Sequence, residues 1–195
     1  VAHNLREGVI EEKLLMLKDI QIARQDGDTE WQVNNDYDPG NCDDGARKEP
    51  GACLADDDHA WLFPVNGQIY PTIEIAEGAG QLWRIGNIGA NATYNLELVM
   101  IGEDGRKETL PFQVIGVDGI SIGREASDEP ILRDKILLMP SARMEVLVTH
   151  PGATASGKKA VFRTAGFNTG ATPDDGDTWP KIDLAEVDFA ASLAN

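Results

Sequence analysis

This sequence predicts an all-β fold, an antiparallel sandwich or barrel built from many short strands. Three observations point there. Apolar and polar residues alternate with period two in segment after segment. Gly, Pro, Asn or Asp punctuates nearly every gap between those segments. No stretch of about twelve residues keeps a helical period with caps at its ends. Turn signals every ~8–12 residues are the spacing of sandwiches and barrels.

Each element can be justified in turn. In DIQIA, Ile20 and Ile22 alternate with Asp19 and Gln21. In TIEIAE, Ile73 and Ile75 alternate with Thr72 and Glu74. Tyr94, Leu96 and Leu98 alternate with Asn95 and Glu97, and Met144, Val146 and Val148 repeat the pattern. Strand-like runs also occupy Trp61–Val65, Gln81–Ile88, Phe112–Val117, Ile136–Met139, Ala160–Thr164 and Ile182–Phe189. Asn66-Gly67 is a type I′ turn signature that sets hairpin register, and Asp118-Gly119 can do the same after the Phe112 strand. The segment from Arg24 to Ala60 breaks the rhythm, being polar, acidic and nearly strandless. A second Gly/Asp/Pro stretch, Gly166–Pro180, separates the last two strands. With no internal repeat and no second core, residues 1–195 read as one domain with residues 24–60 as a long acidic loop inserted in it.

Composition narrows the function. A chain of 195 residues is ample for burying a core. Seventeen Lys and Arg against 33 Asp and Glu give a net charge of −16, which repels nucleic-acid phosphates and anionic lipid heads. Hydrophobic residues make up 42%, which argues against wholesale disorder. No apolar run approaches the ~20 residues of a membrane helix. The N-terminal VAHNLREGVIEEK lacks the basic-then-apolar layout of a signal peptide, so none is expected, although a chain cut from a longer precursor would look the same.

The two cysteines, Cys42 and Cys53, sit in a polar stretch rich in Asp and Gly. Buried free cysteines favour apolar surroundings, so the pair reads as exposed and as one disulfide stapling the long loop. That closure is worth roughly 2–3 kcal/mol in the chain-entropy description and implies an oxidising, secreted or periplasmic compartment. The other reading is two free thiols in a cytosolic protein.

The inventory for catalysis is thin. The three histidines, His3, His59 and His150, are far apart in sequence. A blue-copper site needs two His, a Cys and usually an axial Met; Cys53 and His59 are near each other, but no Met follows before Met100. HExxH, CxxC and His-x-His are all absent. None of Ser121, Ser127, Ser141, Ser156 and Ser192 lies in a nucleophile elbow. Ser141 follows Pro140 and reads as a turn residue, with His150 its only nominal partner. GEDGRKE and GATASGKK lie between strands and read as hairpin turns, not phosphate-cradling loops. The acidic clusters Asp56-Asp57-Asp58, Asp43-Asp44 and Asp174-Asp175 with Asp177 fit no calcium loop, which leaves them as solvated faces or adventitious Ca²⁺ sites. Asn91-Ala92-Thr93 is a glycosylation triplet.

Three blocks of strand and turn do carry a resemblance. They are FPVNGQIYPTIEIAEGAGQLWRIGNIGANATYNLELV, PFQVIGVDGISI and ILLMPSARMEVLVTHPG. In order and spacing they resemble the middle domain of the three-domain, laccase-like multicopper oxidases, over roughly Trp61 to Gly152. Gly86 departs from the pattern, standing where the family usually has an aliphatic residue, and the Arg24–Ala60 loop is longer than usual. The resemblance implies a Greek-key, cupredoxin-like sandwich. It implies a parent protein that oxidises phenols, amines or metal ions while reducing O₂ to water. It also implies copper in the parent but none in this chain, because the family's ligands are His-x-His motifs in the first domain and a His-Cys-His cluster in the last. The expected partners are the flanking cupredoxin domains of the same parent chain, with no nucleic acid and no membrane, and no catalytic residue carries over. Arg84 and Arg143 are expected to be structural, pairing with carboxylates or carbonyls at strand ends, the alternative being a substrate anion. Asp56, Asp57 and Asp58 are candidates for steering a cationic electron donor. The competing function, from a different class, is a stand-alone secreted sandwich that binds or adheres through its acidic loop and catalyses nothing.

Overall fold

The computed structural model describes residues 10–24, 29–34, 42, 46–102, 104–122, 131–152, 155, 158–170 and 178–190. The strands begin with β1 (Ile10–Leu17), β2 (Ile20–Ala23), β3 (Gln32–Val33), β4 (Arg47–Glu49), β5 (Ala52–Leu54) and β6 (His59–Leu62). They continue with β7 (Thr72–Ala76), β8 (Gly80–Asn87), β9 (Tyr94–Ile101), β10 (Lys107–Leu110), β11 (Phe112–Val117) and β12 (Ile120–Ser121). The last are β13 (Ile131–Arg133), β14 (Ile136–Leu138), β15 (Arg143–Thr149), β16 (Lys158–Asn168) and β17 (Thr178–Ala190). His3, Asp43, Asp44, Ser127, Ser156, Asp174, Asp175, Asp177 and Ser192 lie outside the described residues.

Two sheets make the sandwich. The first runs β1-β8-β15-β11-β12, with β13 also on β11; the second runs β10-β9-β16-β17-β7, with β14 also on β9. Consecutive strands such as β8 and β9, or β15 and β16, lie in different sheets, so the chain crosses the core repeatedly in the manner of a Greek key, and neither sheet closes into a barrel. Most pairs are antiparallel, as the alternation predicts. The exceptions are parallel pairs at one edge of each sheet, β1 on β8 and β17 on β7. Parallel partners need a long crossover, so no local turn announces them.

Between the sheets, alternate side chains meet in one core. Trp83 and Phe112 both pack edge-on to Phe162, with ring centroids 5.4 and 6.4 Å apart, the geometry that aromatic quadrupoles favour. The β7 pattern is as alternation requires, with Ile73 and Ile75 buried and Thr72, Glu74 and Ala76 exposed. Glu97 and Arg163 are directly opposed on β9 and β16 and are both buried; Arg163 Nε donates to Glu97 Oε1 at 2.7 Å, and Lys135 Nζ lies 3.4 Å from Oε2.

Several expectations change on contact with the structure. The Arg24–Ala60 segment is not strandless: it supplies β3, β4, β5 and the start of β6, which join β2 in a third sheet of order β3-β2-β6-β5-β4. These strands are two to four residues long, too short for a period to show. The cysteines are not exposed. Cys42 and Cys53 form a disulfide and belong to the common apolar core, at 2% and 0% exposure. Their polar neighbours in sequence misled, because β5 turns Cys53 inward. In β2 the alternation is present but its sense is reversed: Asp19 and Gln21 are buried while Ile20 and Ile22 are half-exposed. Finally, β1 was not anticipated, since IEEKLLML alternates poorly and its partner is far along the chain.

Candidate functional site

The two turn signatures form tight hairpins. Asn66 and Gly67 both take positive φ, 52° and 79°, between Val65 and Gln68, whose backbones bond each other at 2.9 and 3.0 Å. That is the type I′ geometry. The Asn66 side chain also ties the turn to β1, accepting from Met16 N and donating to Leu14 O, both at 2.8 Å. Asp118 and Gly119 have φ of 50° and 83° between the paired Val117 and Ile120. Asp118 Oδ1 accepts from Arg143 N at 2.8 Å, and Asp118 N donates to Arg143 O at 2.9 Å. This turn therefore fixes the start of β15.

The outer face of the first sheet carries a groove of about 620 Å³. Leu15, Leu17, Trp83 and Ile85 point into the core, so their strand neighbours Leu14, Met16, Arg84 and Gly86 face outward. Arg84 is held between strands, with Nε 3.0 Å from Glu12 Oε1 and Nη1 3.3 Å from Glu145 Oε1. Arg143 reaches the same groove, and among the described residues its guanidinium has no carboxylate partner. A Cβ on Gly86 would approach Met16 Sδ to 3.3 Å, so the glycine lets Met16 lie close over β8. The floor is apolar, with Leu14 58% and Ile88 52% exposed. Arg84, Arg143 and Gly119 thus come together; Asn66-Gly67 and Asp56–Asp58 do not line this groove.

Among the described residues, no reacting constellation accompanies it. Ser141 lines the groove at the third position of a Pro140 turn, with φ 67°, but His150 stands beyond the far end of β15, whose length is itself about 20 Å at ~3.3 Å per residue. His150 is buried, its Nδ1 accepting from Gly152 N at 3.0 Å and its ring edge-on to Phe189. His59 Nδ1 lies 3.0 Å from both Asp56 oxygens. With both cysteines in the disulfide and His59 and His150 engaged separately, no group of three His, Cys, Asp or Glu among the described residues could hold a metal ion. The described residues therefore do not fit a copper centre.

The acidic triplet is locally engaged. Asp56 Oδ1 accepts from Asp58 N at 2.8 Å and His59 N at 2.7 Å. These bonds, that from Asp58 foremost, hold the Asp56 carboxyl below its ordinary range. Asp58 pairs with Arg24 at 3.3 Å, and that guanidinium stacks 4.8 Å over Trp31.

No protein-family model matches the sequence, and no curated protein matches it significantly. Solved structures do. The multicopper oxidase McoA of Aquifex aeolicus aligns with 99% of this chain and 35% of its own at 20% identity, TM-score 0.62. The Campylobacter jejuni multicopper oxidase, a metallo-oxidase, aligns with 95% of this chain and 31% of its own at 18% identity, TM-score 0.52. The Pseudomonas thermotolerans multi-copper oxidase aligns with 95% and 34% at 20% identity, TM-score 0.53. The chain therefore carries the cupredoxin-like fold of a multicopper oxidase domain, and it spans about a third of the length of these enzymes.

Proposed function

We propose that the chain is the copper-free middle domain of a multicopper oxidase, acting as spacer and cleft wall between flanking cupredoxin domains of the same parent. The observation that supports this most is the alignment of nearly the whole chain with about a third of each oxidase. Among the described residues the His, Cys and acidic side chains do not converge on one point. In this reading the copper and the reduction of O₂ to water belong to the flanking domains, and the parent's electron donors are phenols, amines or metal ions. The chain itself supplies geometry. The outer groove, apolar with two arginines, is suited to a domain contact: Leu14, Met16 and Ile88 give area to bury, and Arg143, without a carboxylate partner among the described residues, gives a charge to orient a neighbour. The disulfide supports a secreted or periplasmic location in this reading.

Metal analysis of the isolated chain after dialysis against Cu²⁺ tests the reading. Substoichiometric copper and no oxidase activity are expected. One tightly held copper per chain with the intense blue of a Cu–thiolate would overturn it.

A further inference from the structure

β2 runs against the rule the rest of the molecule follows. Its apolar residues are half-exposed, while Gln21 and the adjoining Asp19 are only 5% and 7% exposed. Asp19 Oδ1 and both amide atoms of Gln21 have no hydrogen-bond partner among the described residues. Buried polar groups are normally satisfied within the protein, and an unsatisfied one calls for an explanation. A place where local sequence preference is overridden is also where a functional site is expected.

Both side chains line one cleft of about 400 Å³, whose other walls include Trp61, Ile88, Val33 and Asn91. The site is built. A Cβ on Gly89 would overlap Asp19 Oδ1, so only glycine leaves room for the carboxylate there. Gly89 is itself held, its N–H donating to Asn87 Oδ1 at 3.0 Å, while Asn87 Nδ2 donates to Ala92 O at 2.7 Å and Leu138 O at 3.2 Å. The charge of Asp19 is not quenched locally. Lys18 also lines the cleft, but it is exposed and forms no ion pair with Asp19 among the described residues. The buried Tyr94 hydroxyl, likewise unpartnered, is raised well above its ordinary pKa by burial and then by the negative charge of Asp19.

We propose that this cleft binds a small primary organic ammonium, which pairs with the Asp19 carboxylate and lays its hydrocarbon part against Trp61, Ile88 and Val33. A carboxylate is what an ammonium with three donors seeks, and the aromatic wall adds cation–π attraction. A hard dication asks for six to eight oxygens, usually several of them carboxylates; here Asp19 is the one acid among the lining residues. An anion would meet that carboxylate. The cleft volume falls within the range of small-molecule sites, and such sites pair apolar walls with a few fixed polar groups.

The test uses the unmodified chain and follows backbone amide shifts around residues 18–23 and 87–91 by NMR, at constant ionic strength. Butylammonium is expected to give saturable shifts confined to those amides, with 1-butanol and butyrate binding at least tenfold more weakly. Asp19→Asn, nearly isosteric, is expected to weaken butylammonium at least tenfold while leaving the spectrum elsewhere unchanged. Should that variant misfold, the three-ligand series alone decides. No saturable butylammonium shift means ordered water satisfies these groups and overturns the proposal. So does equal affinity for 1-butanol, an unchanged affinity in a folded Asp19→Asn, or Ca²⁺ binding that displaces the amine.

Discussion

The sandwich and the small third sheet hold together by different means. Strands of the sandwich reach 13 residues, and their cohesion is the burial of large side chains such as Trp83, Phe112 and Phe162 between two faces. Strands of the third sheet are two to four residues long. Its cohesion comes from local ties: the Cys42–Cys53 bridge, Arg24 against Asp58 and Trp31, and the Asp56 turn. The two regions still share one core, because Trp61 packs edge-on to Trp179 at 5.6 Å, and Gly51 N donates to Asp183 O at 2.6 Å. A long strand can be stabilised by what it buries; a short one must be pinned.

The comparison is broken most severely from the sandwich side. Phe162 is fully buried between Trp83 and Phe112. Phe162→Ala should cost about 3–5 kcal/mol, the usual penalty for an aromatic cavity, and both regions should lose hydrogen-exchange protection together. Urea unfolding gives the magnitude. A loss well under 1 kcal/mol would mean the core collapses around the gap.

A smaller effect is expected from Glu97, also in the sandwich. Burial pushes its carboxyl up, but the hydrogen bond and charge of Arg163, with Lys135, outweigh that, and the net shift is downward. A depressed folded pKa contributes stability that is present above the ordinary glutamate range and is lost as pH falls through the lower folded value. Removing one partner of a buried pair costs about 3–5 kcal/mol at the upper end. Glu97→Gln keeps the shape and an acceptor, so about 2–3 kcal/mol at neutral pH is the better expectation. The variant should also show a flatter decline of stability between about pH 5 and 3. An unchanged acid limb would mean the ion pair adds nothing to folding.

Much of this division could be read in the residues themselves. Ile73, Ile75, Leu96, Leu98, Val146 and Val148 face inward as alternation requires, and both Gly-containing turns take the positive φ that Asn-Gly and Asp-Gly favour. The sandwich was legible because burial on one face imposes period two over many residues; its cupredoxin-like character came from the family resemblance alone. The third sheet was not legible, since strands of two to four residues cannot display a period and Arg24 meets Asp58 only once the chain has folded. The burial of Asp19 and Gln21 contradicts the local pattern, and that is why the ammonium cleft left no trace in the sequence. In the outer groove, Arg84 and Arg143 were visible as conspicuous charges, whereas Met16 and Leu14 lay on a strand whose parallel partner is set by the whole fold.

Cutting the main pin sharpens the contrast. Thiol titration of the denatured, unreduced protein should find essentially no free thiol. Replacing both cysteines by alanine should cost roughly 2–3 kcal/mol. Hydrogen exchange should accelerate in β4, β5 and β6 before β9 and β16, because local ties give way below the global unfolding free energy. Equal acceleration in all five strands would show that Cys42 and Cys53 serve the shared core rather than the third sheet alone.

The smallest effect concerns the acidic surface of the third sheet. Donor steering by Asp56, Asp57 and Asp58 in the proposed parent oxidase requires a field that the local ties do not cancel. Asp58 is already paired with Arg24 and Asp56 with His59, whereas no ion pair among the described residues engages the Asp57 side chain. The triplet's own field is therefore weaker than that of three unpaired carboxylates, because Arg24 offsets one of them. Replacing all three by asparagine preserves an acceptor at Asp56 for the Asp58 and His59 amides, so the turn should survive the loss of charge. If the triplet borders the donor cleft, kcat/KM for a cationic donor should fall by about two- to threefold at low ionic strength, and the difference should vanish once salt shortens the screening length to several ångströms. An anionic donor should gain slightly or stay level. Equal responses from both donors, or none from either, would make the triplet a solvated face pinned for local stability. The parent's copper content should be unaltered throughout, since neutralising these side chains removes charge and not a ligand set.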